Sequence, residues 1–398
     1  MDENAIRKEE KKPTVWTRNF IILFISAFII NFGHSLTSNL LPKYLDMIGL
    51  TGTMIGFIIS LFSFTALGFR PVSGPLIDGW DKKKLYIIML VILIAAYGGY
   101  TFTPPLPLIV VCRLLQGLGQ GCISALALTM ATDALPQEKL ASGLSLYGIG
   151  GVLAGALGPG LGITILEKFG YTYAFLAPVI LLLIALAMSV LLENRYIPGT
   201  KILFTLRGMI CRESVVPAIL VLLSGLVRGG LYTFLIIFIS DRNISGMSAY
   251  YYVNAAVMIL ARPFVGALAD RKGLHITLFP AFAFFALSLV LTAFCRNTWQ
   301  LMLVAVLNAL GYGTAFSSAQ ALCMKVAPPD LRGAASTTSF IGLDIGDLIG
   351  PVICGALVDL MGCANMFLMM LIPVAFSLVL LLLWLPKNLH LVKPGSAG

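Results

Sequence analysis

The sequence predicts an all-α integral membrane protein with twelve transmembrane helices arranged as two pseudo-symmetric six-helix bundles. The first observation behind this prediction is composition: the 398 residues are 58% hydrophobic and 11% charged, and the mean hydropathy is +0.93. An ordinary soluble protein does not have this balance. The second observation is a sequence repeat at one fixed offset, which relates the two halves of the chain.

Apolar segments long enough to span a membrane follow one another along nearly the whole chain. A hydrocarbon core of about 30 Å requires roughly 20 apolar residues in a helix. We number the twelve predicted segments spans 1 to 12, and they cover 19–41, 54–74, 85–102, 107–132, 139–165, 171–192, 214–239, 247–269, 274–295, 299–325, 333–358 and 364–385. The polar residues 1–18 do not have the pattern of a cleavable signal peptide.

The distribution of basic residues predicts that both termini are cytoplasmic. Nineteen of the 27 lysines and arginines fall in the termini and in the loops on the same side as the termini. The other side holds Lys43, Lys168, Arg242 and Arg296, and four further arginines lie within spans. Positive charge is enriched on the cytoplasmic side of membrane proteins, so the net charge of +9 mainly reports topology. Nucleic-acid binding is not expected.

An offset of 192 residues aligns landmarks of the two halves without a gap. The aligned pairs are Arg70 with Arg262, Gly74 with Gly266, Asp78 with Asp270, Gly119 with Gly311, Gly121 with Gly313, Pro136 with Pro328, Gly158-Pro159 with Gly350-Pro351, and Gly170 with Gly362. Six spans return the chain to its starting side, so the halves share one orientation. Their symmetry axis is expected along the membrane normal, with a substrate site near the midplane between them.

The repeat also predicts the domain organisation. A cytoplasmic amino terminus (1–18) precedes an N-terminal six-helix bundle (19–192), a cytoplasmic linker (193–213), a C-terminal six-helix bundle (214–385) and a cytoplasmic tail (386–398). The seven cysteines are scattered and form no CxxC pair, which indicates packing residues and predicts no metal site. No P-loop or HExxH cluster is present, so an ATP-driven pump or a membrane enzyme is not expected.

Several motifs resemble those of the major facilitator superfamily of secondary transporters. The family's signature between spans 2 and 3 is Gly-x-x-x-Asp-Arg-x-Gly-Arg-Arg or Lys. The first copy retains Gly74, Asp78, Lys82 and Lys83, and the second retains Gly266, Asp270, Arg271 and Gly273. The first copy departs from the pattern at Gly79 and Asp81, and the second at Leu274 and His275.

Two further motifs support the resemblance. In span 4, "RLLQGLGQG" matches an Arg-x-x-x-Gly-x-Gly-x-Gly pattern that begins at Arg113. In span 5, "AGALGPGLGI" resembles the family's antiporter signature through Gly158, Pro159 and Gly162, and span 11 repeats the theme at Gly350 and Pro351. The resemblance covers residues 19–385 and implies the major facilitator fold. It also implies that the loop motif is a latch that holds the cytoplasmic side shut in one state.

Ionisable side chains inside the spans indicate where the function lies, because a charge at the membrane midplane is costly. At 1.5 Å per residue, His34, Arg228 and Asp347 lie roughly 21 to 23 Å from the cytoplasmic helix ends, and Arg113 lies at about the same level. Asp344 lies lower, at roughly 16 Å. A cavity with polar walls and aromatic patches is predicted, lined by Asn31, His34, Ser38, Arg113, Gln116, Gln120, Arg228, Tyr232, Asn308, Tyr312 and Phe340.

Asp347, Asp344 and His34 are the candidates for proton coupling. Burial disfavours a charged carboxylate whereas a nearby arginine favours it, so movement between states could load and unload a proton. The alternative is a pair of permanent buried salt bridges formed by the two aspartates with Arg113 and Arg228. For Arg228, contact with an anionic or polar substrate and pairing with span 11 both remain open.

The predicted function is secondary active transport by alternating access, as proton-coupled efflux of small organic molecules or drugs. The alternative is a uniporter or a proton symporter that imports a small organic anion or another metabolite. We expect no enzymatic activity and no cofactor, with a proton gradient as the energy source. The expected partners are a small-molecule substrate, protons and the lipid bilayer. The expected form is a monomer in a bacterial cell membrane.

Overall fold

The computed structural model describes residues 14–102, 105–136, 139–193, 210–328 and 331–392. These residues form α-helices and one π-helix, and they contain no strand. The first six spans contain α1 (Arg18–Thr37), α2 (Leu40–Met47), α3 (Gly52–Gly79), α4 (Lys82–Tyr100), α5 (Leu106–Asp133), α6 (Leu140–Phe169) and α7 (Tyr171–Val190). The last six contain α8 (Val215–Asp241), α9 (Met247–Lys272), α10 (Leu274–Ala293), α11 (Thr298–Asn308), the π-helix (Ala309–Gly313), α12 (Thr314–Val326), α13 (Arg332–Met369) and α14 (Leu371–Val392).

Span 1 is divided between α1 and α2, and span 10 continues from α11 through the π-helix into α12. Spans 11 and 12 share one apolar stretch, Ala334–Pro386. Its 53 residues would extend roughly 80 Å as a straight helix, more than twice the hydrocarbon core. The stretch instead reverses, since the sulfur atoms of Cys354 and Met370 lie 3.4 Å apart. The described chain therefore contains the twelve predicted spans.

Helix starts follow local capping rules. The side-chain oxygens of Thr17, Thr51 and Asp81 accept hydrogen bonds from backbone N–H groups three residues later, at the starts of α1, α3 and α4. Asn297 does the same at the start of α11. Each bond satisfies a donor that a helix leaves without a partner in its first turn. Helices suit the membrane because they pair their backbone groups internally.

Two glycines aligned by the repeat make the same turn. Gly170 (φ 83°) separates α6 from α7, and Gly362 (φ 80°) interrupts α13 at the reversal between spans 11 and 12. Side chains other than hydrogen rarely tolerate this left-handed conformation. The repeat seen in the sequence is therefore also a repeat of backbone geometry.

Small residues allow close helix packing within each half. A Cβ at Gly162 of α6 would fall on the Leu36 carbonyl oxygen of α1, and a Cβ at Gly158 would lie 2.5 Å from the Ser35 Cβ. On α13, Gly346 and Gly350 meet the backbone of α8 in the same way. Close approach of helix backbones replaces the hydrophobic driving force that is absent between helices in lipid.

Candidate functional site

One end of the molecule is closed by direct contact between the halves. We call it the outer side; it contains the turns at 48–51, 101–102, 170, 242–246, 294–297 and 362, and the opposite end is the inner side. Asp359 of α13 accepts hydrogen bonds from the backbone N–H groups of Gly52 (2.6 Å) and Thr53 (2.8 Å). These are the first residues of α3, whose free N–H groups and helix dipole favour an anion. The Thr53 hydroxyl also donates to Asp359 over 2.5 Å.

Backbone contacts between α3 and α13 continue the closure. A Cβ at Gly56 would fall on the Pro351 carbonyl oxygen, and a Cβ at Gly355 would fall on the Gly52 carbonyl oxygen. Neither helix can therefore carry a side chain at these positions without separating from the other. We call this set of contacts, together with Asp359, the outer seal.

On the other side of the molecule, an aromatic side chain of α9 packs against α6. Tyr252 of α9 packs on Gly160, where an added Cβ would lie 2.7 Å from the ring. Its hydroxyl lies 3.2 Å from the Thr164 hydroxyl of α6. Both contacts lie in the outer half of the two helices.

Towards the inner side, α6 and α9 separate. A Cβ built on Gly148, Gly151 or Gly155 of α6 would meet nothing within 4 Å, and the same holds for Gly266 of α9. From Tyr252 to Ala269 of α9, only Asn254 and Ala255 are buried. The halves therefore converge at the outer side and diverge at the inner side.

A cavity of about 440 Å³ lies between the halves in the region where they diverge. Its lining includes residues of α1, α3, α5 and α6 from the first half and of α8, α9, the π-helix, α12 and α13 from the second. The predicted cavity residues found in this lining are His34, Ser38, Arg113, Arg228, Tyr232 and Tyr312, together with the predicted proton-coupling residue Asp347.

Asp347 and Arg228 form an ion pair in the cavity wall. Arg228 Nη2 contacts Asp347 Oδ2, and this joins α8 to α13 within the second half. The other carboxylate oxygen, Oδ1, is buried and has no hydrogen-bond partner. Pairing of Arg228 with span 11, one of the two open possibilities, is thus present in this conformation.

Asp344 pairs with a different arginine from those considered in the sequence. Its Oδ2 lies 2.6 Å from Nε of Arg70, so the ion pair joins α13 to α3 across the two halves. The Arg70 guanidinium also lies 5.9 Å from the ring centroid of Phe340. Arg113, the expected alternative partner, does not take part.

Arg113 is held by neutral groups. It is 6% exposed, and it donates to the Ile59 carbonyl oxygen through Nε and Nη2 (3.3 and 3.0 Å) and to Gln116 Oε1 through Nη1 (3.0 Å). Its guanidinium carbon lies 5.1 Å from the Phe62 ring centroid. No carboxylate among the described side chains lies within salt-bridge distance of it.

Gln116 connects Arg113 to a cluster of tyrosines and His34. Its Nε2 donates to the Tyr97 hydroxyl (2.8 Å), and its Oε1 accepts from the Tyr100 hydroxyl (3.2 Å). The His34 Nδ1 atom lies 3.5 Å from both the Tyr97 hydroxyl and Gln116 Nε2. Sequence reasoning missed the two tyrosines, although their spacing of three residues in an apolar span places them on one helix face.

Aromatic side chains form the cavity wall of the second half. The rings of Tyr232 and Tyr251 stack at 6.2 Å between centroids, and those of Tyr312 and Phe316 at 5.8 Å. Tyr251 and Phe316 were not predicted; the run of three tyrosines at 250–252 was an available signal.

Five predicted cavity residues lie outside the lining. The amide nitrogen of Asn31 donates to the Ala27 carbonyl oxygen of its own helix (2.8 Å). Asn308 is buried at 1% exposure beside Asn254, and Gln120 is buried at 9%. Gln116 is buried and contacts Arg113 of the lining, whereas Phe340 is exposed and lies near Arg70, which does not line the cavity.

The predicted latch is described only in part. The side chains of Gly74, Asp78 and Asp270 lie outside the described residues. Lys82 forms an ion pair with Asp133 (2.6 Å), and Lys83 donates to the Val190 and Leu192 carbonyl oxygens (2.8 and 2.7 Å). Both lysines therefore bind helix ends of their own half in this conformation. The remaining second-copy residues lie at the inner end of α9, where Arg271 is exposed and Gly273 (φ 97°) ends the helix.

A chain of twelve helical spans, with a cavity lined from both halves and closed towards one side, defines a multi-pass membrane transporter of small molecules. A model of the Major Facilitator Superfamily matches residues 23–337 and 253–397. The chain belongs to this superfamily.

Similar proteins extend this result. A protein described as a multi-drug resistance efflux pump PmrA homolog from Lactococcus lactis is 26% identical over 377 residues, which cover 86% of this chain and 90% of the relative. The multidrug resistance protein MdtG of Enterobacter lignolyticus is 25% identical and covers 92% of each chain. Among solved structures, the nucleoside transporter NupG superposes with a TM-score of 0.76 at 14% identity, over 92% of this chain and 99% of that one. At that identity the superposition shows a shared fold.

Proposed function

We propose that this protein exports small organic molecules in exchange for protons, by rocking of two six-helix bundles (19–192 and 214–385). The observation that carries the proposal is Asp347: a carboxylate in the cavity wall that is paired with Arg228 through one oxygen and has no partner for the other. A site that both a proton and a substrate can reach is what exchange requires. The names of the PmrA and MdtG relatives support drug-like molecules as substrates.

Proton binding at Asp347 would break its charge pairing with Arg228. A neutral carboxylic acid attracts Arg228 less, so the guanidinium becomes available to the cavity. Asp344 is a secondary candidate, because its ion pair with Arg70 joins the halves and lies off the cavity surface. His34 is a third candidate, at the junction of the tyrosine cluster and the cavity.

The outer seal supports alternating access, because it closes the cavity on one side. Among the described residues, the halves are in contact between α3 and α13 at the outer side and separated between α6 and α9 towards the inner side, as a substrate-loading state of an exporter requires. This assignment uses the predicted orientation, with both termini cytoplasmic in a bacterial cell membrane. We further propose a monomer that needs no cofactor and is driven by the proton gradient.

A second candidate function rests on Arg113. No described carboxylate pairs with this arginine. The carboxylate of an organic anion would bind there if the protein were a uniporter or a proton symporter. Export and import differ in how a pH gradient acts on substrate movement.

Reconstitution into proteoliposomes tests these functions. A thermal-shift screen of metabolites and drugs first identifies a ligand, since binding raises the apparent stability of the folded state. An imposed pH gradient should then drive that ligand against its own gradient. Asp347→Asn should abolish the driven accumulation but retain gradient-independent exchange, whereas the exposed control Asp241→Asn should behave as wild type. Driven transport that survives both Asp344→Asn and Asp347→Asn would exclude the proposed proton carriers.

A further inference from the structure

We propose that the gap between α6 and α9 is a lateral entrance from the inner leaflet, used by amphipathic molecules that carry an acidic group. This inference rests on the proposed export function, because an exporter can collect membrane-dissolved substrates from that leaflet. Arg262 is the residue that receives the acidic group.

The two lateral sides of the cavity differ at the same depth. Between α3 and α13, the Arg70–Asp344 ion pair bridges the halves. The repeat places Arg262 of α9 at the position equivalent to Arg70, but the position equivalent to Asp344 is Val152 of α6. Both Arg262 and Val152 line the cavity. The second bridge is therefore missing, and one side stays open.

The open side spans the inner leaflet. Arg262 lies ten residues from the inner end of α9, and Gly151 lies eleven from the inner end of α6. At 1.5 Å per residue both are roughly 15 Å deep, about half of the hydrocarbon thickness. Gly148, Gly151 and Gly155 of α6 and Gly266 of α9 leave open space roughly 9 to 22 Å from the inner helix ends, so the gap reaches from the midplane into the inner leaflet.

The edges of the gap suit an amphipathic molecule. Apolar side chains are exposed along both helices, at Ile149, Leu153 and Leu157 of α6 and at Leu260, Phe264 and Leu268 of α9. Arg262 is exposed among them, and no described carboxylate lies within 4 Å of it. An exposed guanidinium at this depth attracts an acidic group and repels a cation.

The cavity beyond the gap also favours an acidic group over a cation. Three arginines line it, Arg113, Arg228 and Arg262, against one described aspartate, Asp347. Arg113 donates to the Ile59 carbonyl and to Gln116, which are neutral, and it pairs with no described carboxylate. A carboxylate or sulfonate would supply the opposite charge that these neutral partners lack.

Binding in nanodiscs of zwitterionic lipid tests the proposal without a proton gradient. The probe is a dansyl-labelled alkyl sulfonate, and the comparison probe carries a trimethylammonium group instead. Wild type should bind the sulfonate at least tenfold more tightly than the ammonium analogue. Arg262→Gln should weaken sulfonate binding about tenfold and Arg262→Lys less than threefold, since a charge is kept.

The association rate of the sulfonate probe tests whether it enters through the gap between α6 and α9. Gly151→Trp should slow association of the sulfonate probe about tenfold, whereas Gly68→Trp, which also meets open space but on α3, should leave kon unchanged. Thermal unfolding of each variant checks that it folds. Equal kon in the two variants, or equal affinity for the two probes, would overturn the proposal.

Two results distinguish the lateral entrance from a lipid-headgroup site at Arg262 and from proton-coupled export. If phosphatidylglycerol in the nanodisc displaced the sulfonate from wild type, Arg262 would be a lipid-headgroup site and the substrate entrance would be wrong. If the sulfonate bound as expected but a pH gradient drove no transport, the entrance would stand and proton-coupled export would fail.

Discussion

The two interfaces between the halves are equivalent by the sequence repeat, yet they close differently. At the α3–α13 interface, glycines at 52, 56 and 355 let the backbones touch. The repeat-equivalent positions of the α6–α9 pair are Ile244, Ser248 and Ile163, which all carry side chains. Asp359 caps α3, whereas its equivalent, Glu167, forms no salt bridge and caps no helix among the described contacts.

A few substitutions can therefore give a duplicated fold one tightly packed interface between its halves and one open interface. The α3–α13 interface has polar bridges at two levels, Asp359 at the outer end and Arg70–Asp344 further in. At the α6–α9 interface the one described hydrogen bond joins Tyr252 to Thr164 at the outer end. We expect α6 and α9 to move more during transport than α3 and α13.

The largest change in the inward-open population is expected when a side chain is introduced where the two backbones touch in the outer seal. Gly56→Leu would place side-chain atoms on the Pro351 carbonyl oxygen, and overpacking of this kind costs about 2 kcal/mol. The inward-open population should fall roughly 30-fold relative to states that are open outward. Spin labels at Met54 and Leu360, both exposed at the outer ends of α3 and α13, measure this population by electron paramagnetic resonance.

Ser248→Leu is the matched control, because this equivalent position already carries a side chain. It should change the same population less than threefold. If both variants acted equally, the glycine contacts would not be what distinguishes the two interfaces.

A smaller effect is expected at the inner bridge. Arg70→Gln leaves the Asp344 carboxylate without its cation, which should lower the inward-open population about tenfold, or about 1.4 kcal/mol. The double variant with Asp344→Asn removes both charges and should recover most of this loss. The label pair at Met54 and Leu360 measures this population too. No recovery in the double variant would mean that Arg70 acts through another contact.

The smallest effect is expected at the exposed cap. Asp359→Ala removes the acceptor of three hydrogen bonds and an anion at a helix start, together worth about 1 kcal/mol at an exposed site. The population should shift about fivefold. Glu167→Ala, at the equivalent position of α6, should shift it less than twofold in the same measurement. A Glu167 effect as large as that of Asp359 would contradict the asymmetry.

The spans could be predicted because hydropathy and the fixed repeat depend on local sequence, and Gly170 with Gly362 shows that the repeat carried over to the backbone. The site was less predictable. Asn308 and Tyr312 would share a face in a regular α-helix. Tyr312 instead belongs to the π-helix (Ala309–Gly313), whose turn is wider, and Tyr312 lines the cavity while Asn308 stays buried.

Contacts between the halves were the least predictable. The partner of Asp344 is Arg70, on the other half, and the Asp359 cap joins residues more than 300 positions apart. Such contacts depend on which side of the molecule is closed, and the periodicity of a single helix does not contain that information.

If the outer and inner sides open in turn, a distance change on one side of the protein must be accompanied by the opposite change on the other side. In a background without the seven native cysteines, one label pair reports the outer seal at Met54 and Leu360. A second pair reports the inner gap at Gly148 and Gly266, where the structure leaves open space. Gly56→Leu should lengthen the outer distance and shorten the inner one. The fraction of molecules that changes should be the same for both label pairs. An outer distance that lengthens while the inner gap stays open would contradict alternating access.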